Sequence, residues 1–84
     1  MKRVAIISAI LEDPINNNHQ FNDVISSYQP IIRGRMGIPF HDEGISVISI
    51  TVVGSLDEIN SLTGKLGNIS NMSVKTSISK KEII

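Results

Sequence analysis

The chain has 84 residues, with eight Lys plus Arg balancing eight Asp plus Glu, and no cysteine. Zero net charge removes the basic excess that draws a domain to nucleic acid or to an anionic membrane, so direct binding to either is not expected. The absence of thiols excludes disulfides, thiolate zinc centres, cysteine-ligated iron–sulfur clusters and a Cys nucleophile.

Residues 1–84 are expected to form one domain, and one this short buries only about 60% of the surface its unfolded chain would expose. Lys2-Arg3 followed by an apolar run over residues 4–11 imitates a secretory signal. The run ends in Glu12-Asp13-Pro14, not at a small-residue cleavage site. No stretch approaches the roughly eighteen apolar residues of a membrane span, and the chain reads as cytoplasmic.

The run 4–11 is apolar or small on both faces: Val4, Ile6, Ser8 and Ile10 on one, Ala5, Ile7, Ala9 and Leu11 on the other. A strand with no solvent face is covered above and below, and therefore sits centrally in its sheet. Asp13 as N-cap and Pro14 at the first helical position then open a helix. Its stripe is Phe21, Val24, Ile25 and Tyr28, and Pro30 ends it.

Residues 31–36 follow, interrupted by Gly34 and carrying Arg33 and Arg35, which marks an edge strand. Residues 37–44 are expected as a hairpin loop with Pro39 and His41-Asp42-Glu43 at its tip. The run 45–53 is a second strand without a solvent face. Val47, Ser49 and Thr51 share one side of it, and the greasier Ile48, Ile50 and Val52 the other. The second set is assigned to the helix-packed core and the first to an interface between copies of the chain.

Ser55 and Glu58 form a capping box ahead of Ile59, Leu62 and Leu66. Lys65 suits the last turn of this helix and Gly67 its C′ position. The last strand, about 72–79, alternates Met72, Val74, Thr76 and Ile78 with Ser73, Lys75, Ser77 and Ser79, so one face is wet; Lys80-Lys81-Glu82 is expected as a frayed tail.

The resulting β-α-β-β-α-β order is α+β, with two-sided strands first and third and one-sided strands second and fourth. That is a ferredoxin-like antiparallel sheet in order 4-1-3-2 with two helices on one face. Two helices cover one face only, and another copy of the chain is expected on the other.

The fold alone licenses no function, so motifs must decide. RNA-recognition domains of this topology stack bases on strand aromatics, and the two central strands have no Phe, Tyr or Trp. Gly64-Lys65-Leu66-Gly67 has the spacing of an RNA-clamping loop but ends a helix before a strand; it reads as one Gly for close helix packing and a second for the cap. It is not a P-loop, because Leu66 stands where Ser or Thr would bind magnesium. His41 beside Asp42 and Glu43 is too small a set for a metal site. No nucleophile, base and acid share a recognisable spacing, so neither catalysis nor a cofactor is expected. Arg33 and Arg35, two apart on an edge strand, point the same way and could hold a carboxylate or phosphate.

Taken together, Leu11-Glu12-Asp13, Arg35-Met36-Gly37-Ile38-Pro39, Leu62 through Ile69 and Val74-Lys75-Thr76 resemble a specific family over nearly the whole chain. It is the family of proposed iron-only hydrogenase system regulators, whose members are ACT-like and similar to the C-terminal domain of nickel-responsive repressors. The resemblance implies a non-catalytic, self-associating regulatory module, a dimer or tetramer, sensing an unidentified small ligand at a subunit interface. The candidate ligand contacts are Arg33, Arg35, Gly37, Gly64, Lys65 and Gly67, and the resemblance points to a hydrogenase-related or transcription protein as a partner. The alternative is a structural or assembly partner with no small ligand. Nickel-responsive repressors use His and Cys for metal and place a DNA-binding segment ahead of this domain; with no Cys and a strand from its first residues, this chain is expected, if it regulates transcription, to act through a partner or through a surface that no motif marks.

Overall fold

A computed structural model describes residues 1–83, with elements in the order β1 (Lys2–Glu12), α1 (Pro14–Ser27), β2 (Ile32–Phe40), β3 (Ile45–Gly54), α2 (Leu56–Gly67) and β4 (Met72–Ile83). The strands form one antiparallel sheet in order β2-β3-β1-β4, the expected 4-1-3-2 order read from the other edge. With both helices packed on one face, this is the ACT-like β-α-β-β-α-β fold.

Alternation along the central strands builds the core. Ala5, Ile7, Ala9 and Leu11 of β1 and Ile48, Ile50 and Val52 of β3 are buried, facing Phe21 and Ile25 of α1 and Ile59, Leu62 and Leu66 of α2. Each large side chain buried there contributes about 1.5–3 kcal/mol of transfer free energy. Tyr28 and Val24 flank the core half-buried, as their places at the margin of the α1 stripe require.

The α2 start matches its sequence signature. Glu58 N–H donates to Ser55 Oγ at 3.1 Å, and Ser55 N–H donates to Glu58 Oε1 at 2.9 Å. The α1 start differs. Asp13 holds the cap position but lies in the left-handed region (φ 52°), and its side chain accepts no backbone hydrogen bond. Its Oδ2 accepts from Asn16 Nδ2 at 2.8 Å instead. Short polar side chains tolerate this backbone state better than most.

Two strand ends and one helix end depart from expectation, and at the strands it is pairing that overrides the local signals. Gly37 through Phe40 are strand, opposite Ile48, Val47, Ser46 and Ile45 of β3. Pro39 is compatible with this because β2 is an edge. Only the short helical turn His41–Glu43 and Gly44, at φ 67°, remain as the connection.

Residues 80–82 are not frayed but continue β4. Arg3 pairs with Glu82 across the sheet, their side chains 3.5 Å apart. A bulge between Arg3 and Ala5 is satisfied locally: Val4 N–H donates to Ser79 Oγ at 3.2 Å, and that hydroxyl donates to the Lys81 carbonyl at 2.9 Å.

Gly67 is the last helical residue rather than a left-handed cap. Asn68 closes α2 in right-handed geometry, and Asn71 (φ 64°) makes the turn into β4. Gly64 is not a packing glycine either, since a Cβ built on it would meet nothing within 4 Å. The glycine under steric constraint is Gly54, where a Cβ would lie 3.1 Å from Glu58 Oε1 and 3.2 Å from Ile31 Cγ2.

Candidate functional site

The face of the sheet away from the helices is open, and the strand registers fix what it presents. Three rows cross it: Lys75, Ser8, Ser49, Met36; then Ser73, Ile10, Val47, Ile38; then Ser77, Ile6, Thr51, Gly34. One half, toward β2, is apolar. Ile6, Ile10, Met36, Ile38 and Phe40 are each between 45% and 62% exposed there, more large apolar surface in one place than isolated surface residues explain. The other half, toward β4, is serine hydroxyls and the Lys75 ammonium.

Val47, Ser49 and Thr51 are therefore on the open face, and Ile48, Ile50 and Val52 on the core face. The central strands are two-sided in sequence, but within one chain only one side is covered. A shallow basin of about 390 Å³ lies on the open face between β1, β3 and β4, reached by Ser8, Ile10, Val47, Ser49, Ser73 and Lys75.

A second cleft, about 340 Å³, lies at one end of the fold. The start of α1 (Asp13, Pro14, Ile15, Asn18) faces the end of β2 (Pro39, Phe40) and the connection that follows it (His41, Gly44), and these form its walls. Asp13 N–H donates to the Gly44 carbonyl at 3.0 Å, which joins the two walls. Asn17 secures the same corner from beneath: nearly buried, it donates from Nδ2 to the carbonyls of Glu12 at 3.2 Å and Asp13 at 3.0 Å. The sequence signal for Asn17 is a polar residue four positions after Asp13, at the Asp-Pro helix start.

The six candidate ligand contacts are not gathered into either cleft. Arg35 lies over the buried Phe21 ring, its Cζ 5.3 Å from the centroid. Lys65 likewise lies over Tyr28, with Nζ 5.3 Å from the centroid. Both cations are thus engaged by aromatic rings of the helix layer. A register shift between Ile32 and Gly34 places Arg33 in a bulge, so strict alternation no longer puts it beside Arg35. Gly37 is in β2, and Gly64 and Gly67 are on exposed turns of α2.

Next to Lys65, the Tyr28 hydroxyl and Ser61 Oγ are 2.6 Å apart. That bond, reinforced by Lys65, holds the Tyr28 phenol below its ordinary pKa. His41, Asp42 and Glu43 are exposed on their turn, and among the described residues no three His, Cys, Asp or Glu side chains converge to hold a metal.

The sequence matches the family model TM1266-like, described as "Iron-only hydrogenase system regulator, putative", over residues 3–76. The chain belongs to this family. Among solved structures it is similar to the uncharacterized protein TM1266 from Thermotoga maritima, at 32% identity and a TM-score of 0.90, covering 95% of this chain and 100% of that one. It is also similar to the ACT domain of the GTP pyrophosphokinase of Chlorobium tepidum (23% identity, TM-score 0.76, 92% of this chain and 100% of that one). The C-terminal domain of the MgtC protein from Mycobacterium tuberculosis is more distant (14%, 0.61, 93% and 88%). The last two likenesses speak for the fold alone. No curated protein sequence matches the chain. Within the family frame, no helix among the described residues is long and apolar enough to cross a membrane.

Proposed function

We propose that the chain is a non-catalytic regulatory module of the iron-only hydrogenase system that works by associating with a second copy of itself, with a small ligand held where the copies meet. The open sheet face carries this reading. Four strands of about ten residues, about 4.8 Å apart, give a face of roughly 600 Å² in plan. The apolar half toward β2 is the part a second copy would cover, so the contact falls below the roughly 800 Å² per partner of a standard interface. The chain exposes 5403 Å², against the roughly 4,900 Å² expected of an average monomer of its mass. That excess goes with an elongated shape, 42 × 18 × 17 Å, so the case for a covered surface rests on the apolar half of the face.

A second copy is the occupant favoured by the chemistry. The apolar half is neutral, so like meets like without charge repulsion, and a two-fold axis makes one patch its own complement. Regulation of transcription would then act through a partner protein.

Light scattering on the purified protein at micromolar concentration tests the assembly. The expected mass is at least twice 9.2 kDa, falling to the monomer mass in Ile38→Arg, which puts a charge on the apolar half. A wild-type mass equal to the monomer would overturn the reading.

A further inference from the structure

We infer that the β4 half of the open sheet face is a binding site for a small monocarboxylate bearing an apolar group, with Lys75 as its counter-ion. This deepens the proposed function, because it names the class of ligand that would lie beside the contact between copies.

The placement of charge leads to this assignment. Lys75 is the only charged residue in the three rows that cross the face, and its neighbours are Ser8, Ser49, Ser73 and Ser77. Among the described residues it makes no ion pair and its side chain makes no hydrogen bond. Arg3, Arg35 and Lys65 are engaged by Glu82, Phe21 and Tyr28, and the other cations without such a partner, Lys2, Arg33, Lys80 and Lys81, lie outside these rows, so it is the place of Lys75 among the hydroxyls that sets it apart. The hydroxyls of Ser8, Ser49 and Ser73 are likewise without side-chain partners on this face, and they border the same 390 Å³ basin as Lys75.

One ammonium surrounded by neutral hydroxyls matches a single negative charge. Lysine offers three donors on a flexible stem, and each hydroxyl can donate to a carboxylate oxygen. A dianion would be left half-neutralised. The same basin is floored on its other side by Ile10 and Val47, which suits an apolar group attached to the carboxylate. If the apolar half is covered by a second copy, the basin lies at the edge of that contact. Ligand and assembly then share Ile10 and Val47, which gives binding a route to regulation.

The test uses the full chain, phenylacetate as probe and phenylacetamide as its neutral counterpart, read by backbone amide chemical shifts. Phenylacetate is expected to produce saturable shifts at Ser8, Ser49, Ser73 and Lys75, and phenylacetamide none. In Lys75→Met, an exposed position that leaves the core intact, the affinity should fall at least about tenfold, the loss of a charge-assisted contact. Shifts that are absent, lie elsewhere or survive Lys75→Met would overturn the site. Inorganic phosphate displacing phenylacetate with equal affinity would overturn the choice of an apolar carboxylate. A Lys75→Met protein that dissociates to monomers would also overturn it, showing the ammonium to be paired across copies. Light scattering on the same samples separates this inference from the assembly: an oligomer without shifts refutes the ligand site alone, and a monomer with Lys75-dependent shifts refutes the assembly alone.

Discussion

Asn17 Nδ2 reaches back 3.2 Å to the carbonyl of Glu12, so the first turn of α1 is tied to the end of the strand it follows. The same amide serves the Asp13 carbonyl, and no buried side-chain polar atom among the described residues lacks a partner. Replacing Asn17 with Ala leaves those acceptors short of a donor at a nearly buried corner. The expected loss is about 1–3 kcal/mol, read by urea denaturation, and an unchanged midpoint would contradict it.

Gly54 stands where β3 meets the capping box. In Gly54→Ala the new methyl meets Glu58 Oε1, held by the Ser55 N–H, and the buried Ile31. Overpacking of this kind costs about 1–3 kcal/mol. Gly64→Ala, with open space and an ordinary helical backbone, should instead raise the melting temperature slightly, by the roughly 1 kcal/mol of helix propensity that separates Ala from Gly. A pair of melting curves that moves both variants in the same direction would show that close approach at Gly54 is not what matters.

The hydrogen bond that the Glu58 carboxylate accepts from the Ser55 backbone N–H, with the Ser55 side chain close by, lowers its pKa below the ordinary value. A carboxylate with a depressed folded-state pKa contributes stability that is present above its unfolded pKa and is lost as pH falls through the folded one. Glu58→Gln keeps the capping-box geometry but cannot titrate. The stability gap between wild type and Glu58→Gln should therefore shrink as pH falls from about 5 to about 3. Denaturation series across that range check it, and a gap that stays constant would be the contrary result.

Ser49 and Ile50 are neighbours on opposite faces of β3. Ile50 is fully buried against the helices, so Ile50→Arg should leave no folded protein by circular dichroism. Ser49 lies on the open face opposite Met36 of the apolar half, so the long charged side chain of Ser49→Arg reaches the contact between copies, and the variant should fold as a monomer while losing self-association, at a cost of several kcal/mol. Wild-type mass and melting temperature in Ser49→Arg would mean that this face is solvated.

The purified protein should show no salt-sensitive affinity for DNA or RNA tighter than about 10 μM at physiological salt. Filter binding across a salt series measures this. Specific retention of a hydrogenase promoter by the protein alone would refute it.

Element types and sheet order were legible in the chain because they rest on short-range patterns. Period-two alternation in β1 and β3, the i, i+3, i+4 stripe of α1 and the Ser55–Glu58 box each act within a few residues, and burial of both sides of a strand places it centrally whatever the rest does. The ends of β2 and β4 were not legible, because Gly37, Pro39 and Lys80 carry local signals for loop that cross-strand hydrogen bonding overrides. The functional surface depends still more on register. Lys75 is adjacent to Ser8, and Ser8 to Ser49, only through pairings between residues 41 and 67 positions apart in sequence. Arg33 and Arg35 are only two positions apart, yet the irregularity at Arg33 breaks the alternation that would put them on one side of β2. Local propensity selects helix or strand, but which side chains meet on a sheet is settled by long-range pairing, and a shift of one residue turns every side chain to the other face.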